Sequence, residues 1–281
     1  MKRACYNLIL FTFITINLFP QEKQINNTDS GHEDYSWIRD TVYTLMPHII
    51  EVDLSKQMGY LYSRTEPVKE FGLSSGTENL EDGVNTKTGL FVIQAKMEKW
   101  YSRQFDSTLM LNWMGFNWGI GFHSLQGSSY YRYLGKRKSS HGCVRLSRVM
   151  AQELYDKIEE GTPVLVHDGH CAVKVAFGKP ENSFVYLRFV DLRYQMNKRY
   201  NELYAGKYFV SYNPKLLIDF NNVYHEGLPI GDSRKILRNQ ITLPLSEYIT
   251  STIPLPRGLV TFHKPFQRFD LIFNLKYVRV R

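Results

Sequence analysis

Only three cysteines occur in 281 residues. So sparse a supply excludes a disulfide-stapled scaffold, and a chain of this length can bury a core without staples. Nothing in the composition reads as collagen, coiled coil or bulk disorder. Hydrophobic residues make up 43% and charged residues 22%, ordinary for a folded chain. Internal repeats are not evident. Paired Cys/His ligands at zinc spacing are also lacking: "HDGHC", His167 to Cys171, has no second pair to complete a site. The apolar stretch "LILFTFITINLF", Leu8 to Phe19, falls short of the ~20 residues that cross a bilayer as a helix.

What stands at the N-terminus instead fits a targeting segment. Lys2 and Arg3 precede the apolar core, and the polar "QEKQINNTDSGHED" follows Pro20. Residues 1–20 therefore read as a secretory signal peptide or, since no A-x-A site follows, as an uncleaved N-terminal anchor. The expected location is outside the cytoplasm, in the periplasm or cell envelope. Residues 21–47 read as a linker. Cys5 leaves with a cleaved segment, so Cys143 and Cys171 are the cysteines of the mature chain.

Aromatic residues reach 14% and weakly favour β-structure. "HIIEVDLSKQMGYLYS" (His48 to Ser63) predicts a strand pair with a turn near Ser55 to Gln57. "EPVKEFGLSSG", the run Leu90 to Ile93, "FNWGIGFHS" and "TPVLVH" predict further strands. A helical pattern appears after Cys143, in "SRVMAQELYDKIEEG", with Ser147 as N-cap and Gly161 as the stop. The reading is mainly β with a few helices (α+β).

The chemistry gathers at "SSHGCVRLS", Ser139 to Ser147. A thiol near a helix start, or beside an imidazole, has its thiolate favoured. His123, at the end of a separate strand, can meet Cys143 in space as a Cys–His pair requires. A buried, inert cysteine is the alternative for any single cysteine, but two histidines and a glycine in this order favour a nucleophile.

"FHS" followed at this distance by "SHGCVRL" resembles the active-site motif of the YkuD-type L,D-transpeptidases. "EVDLSKQMGYLYS", "TKTGLF" and "MGFNWGIGFH" extend the resemblance over residues 48–168. It implies a β-sandwich with a helix after the catalytic cysteine. It also implies a cysteine nucleophile, Cys143, attacking the carbonyl after the third residue of a peptidoglycan stem peptide and passing the acyl group to an amine acceptor. His123 takes the thiol proton, the Ser124 carbonyl orients the imidazole, and the N–H groups of His141, Gly142 and Cys143 face the oxyanion. Arg145 holds a substrate carboxylate or supports the loop, and Ser140, Phe122 and Trp118 are read as substrate-binding. No cofactor and no metal are implied. The insert "MEKWYSRQFDSTLMLNW" is expected to lid the cleft. The loop "QGSSYYRYLGKRKSS" is either a solvated surface or a basic attractor for stem-peptide carboxylates. Hydrolysis, or binding to the envelope without catalysis, are the alternatives to transfer.

Residues 169–281 carry 17 Lys/Arg against 8 Asp/Glu, whereas residues 1–168 carry 18 against 19. The net charge of +8 thus belongs to the extension. Export argues against nucleic acid as partner, so an anionic envelope polymer is the candidate ligand of a basic module. "SFVYLRFV", "GKYFVSY" and "FDLIFNLKYVRVR" read as strands, making the extension β-rich, with "SRKILRNQ" as a helix. The apolar residues of "KLLIDF" and "FDLIFNLKYV" also need a partner surface. The other expectation is therefore an extension packed on the catalytic sheet.

Overall fold

A computed structural model describes residues 39–102, 107–206 and 214–236, together with a short parallel strand pair at 241–242 and 260–261. The targeting segment, most of "GKYFVSY" and all of "FDLIFNLKYVRVR" lie outside the described residues. In chain order the strands are β1 (Asp40–Thr44), β2 (His48–Asp53), β3 (Met58–Ser63), β4 (Lys69–Gly72), β5 (Gly89–Val92), β6 (Ala95–Tyr101), β7 (Leu109–Asn117), β8 (Ile120–Leu125), β9 (Val144–Arg145), β10 (Pro163–His167), β11 (Val173–Phe177), β12 (Val185–Tyr186) and β13 (Leu216–Leu217). Helix α1 spans Arg148–Lys157 and α2 spans Phe189–Tyr204. The fold is mainly β with two helices, in the α+β class.

Three sheets carry it. One has the order β4-β3-β2-β10-β5, the second β6-β7-β8-β9, the third β11-β1-β13-β12. The β2–β3 hairpin is closed by Asp53, whose Oδ1 accepts from the Ser55 and Lys56 N–H groups at 2.9 and 3.2 Å. The first sheet is the middle layer, and strand alternation shows why. Phe91 and Ile93 on and just past β5, with Val164 and Val166 on β10, enter a core shared with β7, β8 and α1. Leu90, Val92 and Leu165 point the other way, into a core shared with β1, β11 and α2. Strands buried on both faces read as continuous apolar runs, as "LFVI" and "PVLV" do.

Helix α1 begins where predicted: the Ser147 hydroxyl accepts from the Met150 N–H at 3.1 Å, and Met150, Ala151 and Leu154 face the core. It ends at Lys157, before Gly161, because the chain turns extended at Ile158.

Four expectations change. Residues 40–44, read as linker, are strand β1, paired in parallel with β11 and β13. "FNWGIGFHS" is two strands, since the chain reverses at Trp118–Gly119 between β7 and β8. In "SFVYLRFV" only Val185–Tyr186 is strand, and Phe189 opens α2. The extension is therefore not uniformly β: its described part holds the 16-residue helix α2. "SRKILRNQ" supplies one 3-10 turn at Ser233–Lys235 among the described residues.

Candidate active site

Strand β8 aims the imidazole. Its alternation sends His123 and Leu125 toward a cleft of about 430 Å³ and sends Phe122 into the core. His123 is 3% exposed, and its Nδ1 lies 3.1 Å from the Ser124 carbonyl oxygen. A carbonyl only accepts, so Nδ1 carries the hydrogen and Nε2 keeps a free lone pair. Burial lowers the His123 pKa to about 4, outweighing the Ser124 hydrogen bond, which raises it. The imidazole is neutral at neutral pH.

Cys143 is half-buried and lines the same cleft as His123. Its thiol donates to the Gly119 carbonyl in the β7–β8 turn, at 3.7 Å. Enclosure pushes the thiol pKa up, while the Gly121 N–H and the Arg145 charge pull it down less strongly. The expected thiolate is thus absent at rest. The helix cannot supply it either, since β9 and Leu146–Ser147 separate Cys143 from the first turn of α1, and dipole effects fade within one turn. At rest the cleft holds a thiol and a neutral imidazole.

The cysteine loop is held by small polar groups. The Ser140 hydroxyl donates to the Cys143 carbonyl and accepts from the Gly142 N–H at 3.2 Å. Thr86 donates to the Gly142 carbonyl at 2.6 Å and accepts from the Gly76 N–H at 2.8 Å. Gly142 sits at φ +150°, and a Cβ on Gly76 would fall 2.5 Å from the Gly142 Cα. Only glycine permits that approach. Thr86, the first threonine of "TKTGLF", is a site residue that sequence reasoning missed; its signal was the quoted motif itself.

The other predicted residues divide. His141 lines the cleft, and its carbonyl accepts from the Val84 N–H at 3.2 Å. Arg145 lines it too, anchored by Nη1 donating to the Ser139 carbonyl at 2.8 Å. Its buried Nε has no hydrogen-bond partner among the described residues, and burial holds its pKa below the usual arginine value. Ser140 is 1% exposed and works inside the loop. Phe122 is not a substrate contact: it is fully buried, its ring 5.1 Å from Phe116. Trp118 stands outside the cleft wall, 62% exposed, stacked on His225 at 5.0 Å. The Gly142 N–H, expected to face an oxyanion, is engaged by Ser140.

Apolar walls come from Val84, Ile120 and Leu125, and from Trp100 and Met110 of the β6–β7 hairpin. The expected lid insert thus forms a cleft wall in its described part. In the basic loop, Arg132 and Arg137 lie over the Tyr133 ring, at 4.8 and 4.0 Å. The Tyr130 hydroxyl donates to the Leu146 carbonyl at 2.6 Å. Cys171 is fully buried and, like Cys143, a free thiol.

Residues 47–166 match the profile of the L,D-transpeptidase catalytic domain, YkuD. This segment belongs to the YkuD-type L,D-transpeptidase catalytic-domain family. A curated Bacillus subtilis (strain 168) protein, YciB, which bears its L,D-transpeptidase name provisionally, is 24% identical over 126 residues, 42% of this chain and 64% of that protein. The chain thus spans less than two thirds of that relative. Among solved structures, the L,D-transpeptidase from Mycobacterium smegmatis is 22% identical with a TM-score of 0.38, covering 43% of this chain and 59% of that one. The Stackebrandtia nassauensis L,D-transpeptidase is 21% identical with a TM-score of 0.38, covering 48% and 61%. The domain accounts for β2 to β10 and carries His123, Ser124, His141, Gly142, Cys143 and Arg145. Strand β1 and everything after β10 fall outside it.

Proposed function

We propose that this chain is an exported peptidoglycan L,D-transpeptidase with Cys143 as nucleophile. The observation that carries the reading is the placement of Cys143 on one cleft with an imidazole whose Nδ1 is tied to the Ser124 carbonyl. Nε2 is left as the only basic nitrogen of that ring. That is the nucleophile, base and orienting group of an activated-nucleophile site. Apo geometry at such sites is commonly loose, so the thiol's bond to the Gly119 carbonyl does not exclude the pair.

The sulfur adds to the carbonyl carbon after the third stem-peptide residue as His123 Nε2 takes its proton. The C–N bond then breaks, the proton passes to the leaving amine of the fourth residue, and a thioester remains. An acceptor amine attacks that thioester, a C–N bond forms, and the sulfur leaves with its proton restored. The Cys143 N–H is the candidate oxyanion donor, since the Gly142 N–H is engaged. Arg145, with its unpaired Nε, supplies a cation for a substrate carboxylate. The polymer-binding role considered for the extension finds no support in its described part, whose apolar face packs on the middle sheet.

The test is incubation of the protein with a disaccharide-tetrapeptide, read by mass spectrometry. A cross-linked dimer is the expected product; tripeptide alone would assign hydrolysis. No product, or turnover retained in Cys143→Ala, rejects the reading. Export is tested separately, by fusing residues 1–34 to alkaline phosphatase: an inactive fusion contradicts it.

A further inference from the structure

Trp118 is an anomaly of conformation and exposure. It occupies the β7–β8 turn at φ +51°, a left-handed region costly for a bulky side chain. It is also 62% exposed. Strain of this kind persists only where surroundings enforce it, and it clusters at binding sites. One ring face stacks on His225, at 5.0 Å and 26°, so the opposite face is open to solvent. His225 belongs to the extension, on a strap sewn to the catalytic domain. Asn117 Nδ2 donates to the His225 carbonyl at 2.5 Å, Lys87 Nζ to the Glu226 carbonyl at 3.1 Å, and Leu90 and Leu228 exchange backbone bonds at 3.0 and 2.8 Å.

We propose that Trp118 and His225 form a saccharide-stacking shelf beside the cleft, holding the glycan from which the stem peptide hangs. This rests on the peptidoglycan reading above and adds a second substrate element to it, half supplied by the extension. A flat ring with one face supported and the other wet suits the apolar face of a sugar, and amphipathic aromatics are the usual side chains for such contacts. Glu226, exposed beside the ring pair, and the His225 imidazole supply polar groups for hydroxyl and acetamido substituents.

The distance fits. The Gly119 carbonyl lies 3.7 Å from the Cys143 sulfur, and Trp118 is the preceding residue. Adjacent Cα atoms are about 3.8 Å apart, so the indole lies on the order of 10 Å from the sulfur. An extended stem peptide rises roughly 3.3–3.6 Å per residue, so the third carbonyl and the sugar are also on the order of 10 Å apart. A donor acylating Cys143 therefore delivers its glycan to the shelf.

Isothermal titration of the full chain with a soluble N-acetylglucosamine tetramer tests the shelf without any turnover. Saturable binding is expected, weakened about 3- to 10-fold in Trp118→Ala, with partial recovery in Trp118→Tyr. Absence of binding by the wild type, or equal binding by Trp118→Ala, overturns the proposal. A second measurement compares kcat/KM for a disaccharide-tetrapeptide with that for the free tetrapeptide. The preference for the sugar-bearing donor should fall about 3- to 10-fold in Trp118→Ala and in His225→Ala. An unchanged ratio in both variants counts against the shelf. A chain that turns over neither donor would fail the transpeptidase reading, while the titration would still judge the shelf.

Discussion

At Cys143 and His123 the proton inventory decides the pH behaviour. Burial lowers the imidazole pKa to about 4 and raises that of the thiol, so the reactive form at neutral pH is thiol plus neutral base. The base is lost only as pH falls through the folded value near 4. The acid limb of kcat/KM should therefore fall near pH 4 and not near the ordinary histidine value of about 6.5. Iodoacetamide alkylation of Cys143 should rise with pH beyond the ordinary cysteine range, with no plateau below pH 7. Such a plateau would establish a resting thiolate ion pair and contradict the neutral one. Thr86 tests the loop at the same scale. Thr86→Val removes both bonds of a buried hydroxyl and should cost about 1–3 kcal/mol in denaturant unfolding, while slowing acylation of Cys143 by a carbapenem. Thr86→Ser should recover most of both. An inert Thr86→Val would remove the hydroxyl from the loop's support.

Two side chains hold the start of helix α1: the Tyr131 hydroxyl accepts from the Arg148 N–H at 2.7 Å, and the Ser147 hydroxyl caps the first turn. Ser147→Ala removes the acceptor for the Met150 N–H and should lower stability by about 1 kcal/mol, measured as a denaturant midpoint shift at constant slope. No shift would mean the cap is carried by water. Elements of this kind were legible because their signals are local: a capping serine, then apolar residues at helical spacing. The strand pair at His48 to Ser63 and the cysteine motif were legible for the same reason. Helix α2 was not, although Phe189, Leu192, Met196, Tyr200 and Leu203 form a buried stripe. Aromatic and β-branched residues in "SFVYLRFV" favour strand locally, and the stripe gains its energy only in the core it shares with β1, β5, β10, β11 and β13. Phe122 was misplaced for a comparable reason. The motif draws attention to every neighbour of His123, but on a strand the residues beside a cleft-facing position face the opposite side. Trp118 lay in an apparent single strand because the turn there uses a strained tryptophan where a glycine or asparagine would have signalled it.

The whole molecule is a stack in which the middle sheet needs cover on both faces. On its far face, Leu90, Val92 and Leu165 are at most 3% exposed, against Leu192, Met196, Leu216 and Ile218 of the extension. Arg199 on α2 ties the same layer to β1, its Nη1 3.5 Å from Asp40 Oδ1. Ending the chain after residue 168 would remove β11, β13 and α2. Strand β1 would lose its partners, and Val42, Leu90, Val92 and Leu165 would lose their cover. Each such side chain contributes about 1.5–3 kcal/mol when fully buried, so together they approach the roughly 5–15 kcal/mol that stabilises a typical domain. The uncovered face would also be a contiguous apolar patch of the kind that drives association. The truncated protein is therefore expected to aggregate or to lose acylation by a carbapenem, although every residue of the cysteine motif is still present. The measurements are size-exclusion chromatography and intact mass after carbapenem treatment, beside the full chain. A monomeric truncation that acylates at the full chain's rate would show the matched segment folding alone, and would reduce the extension to an attachment.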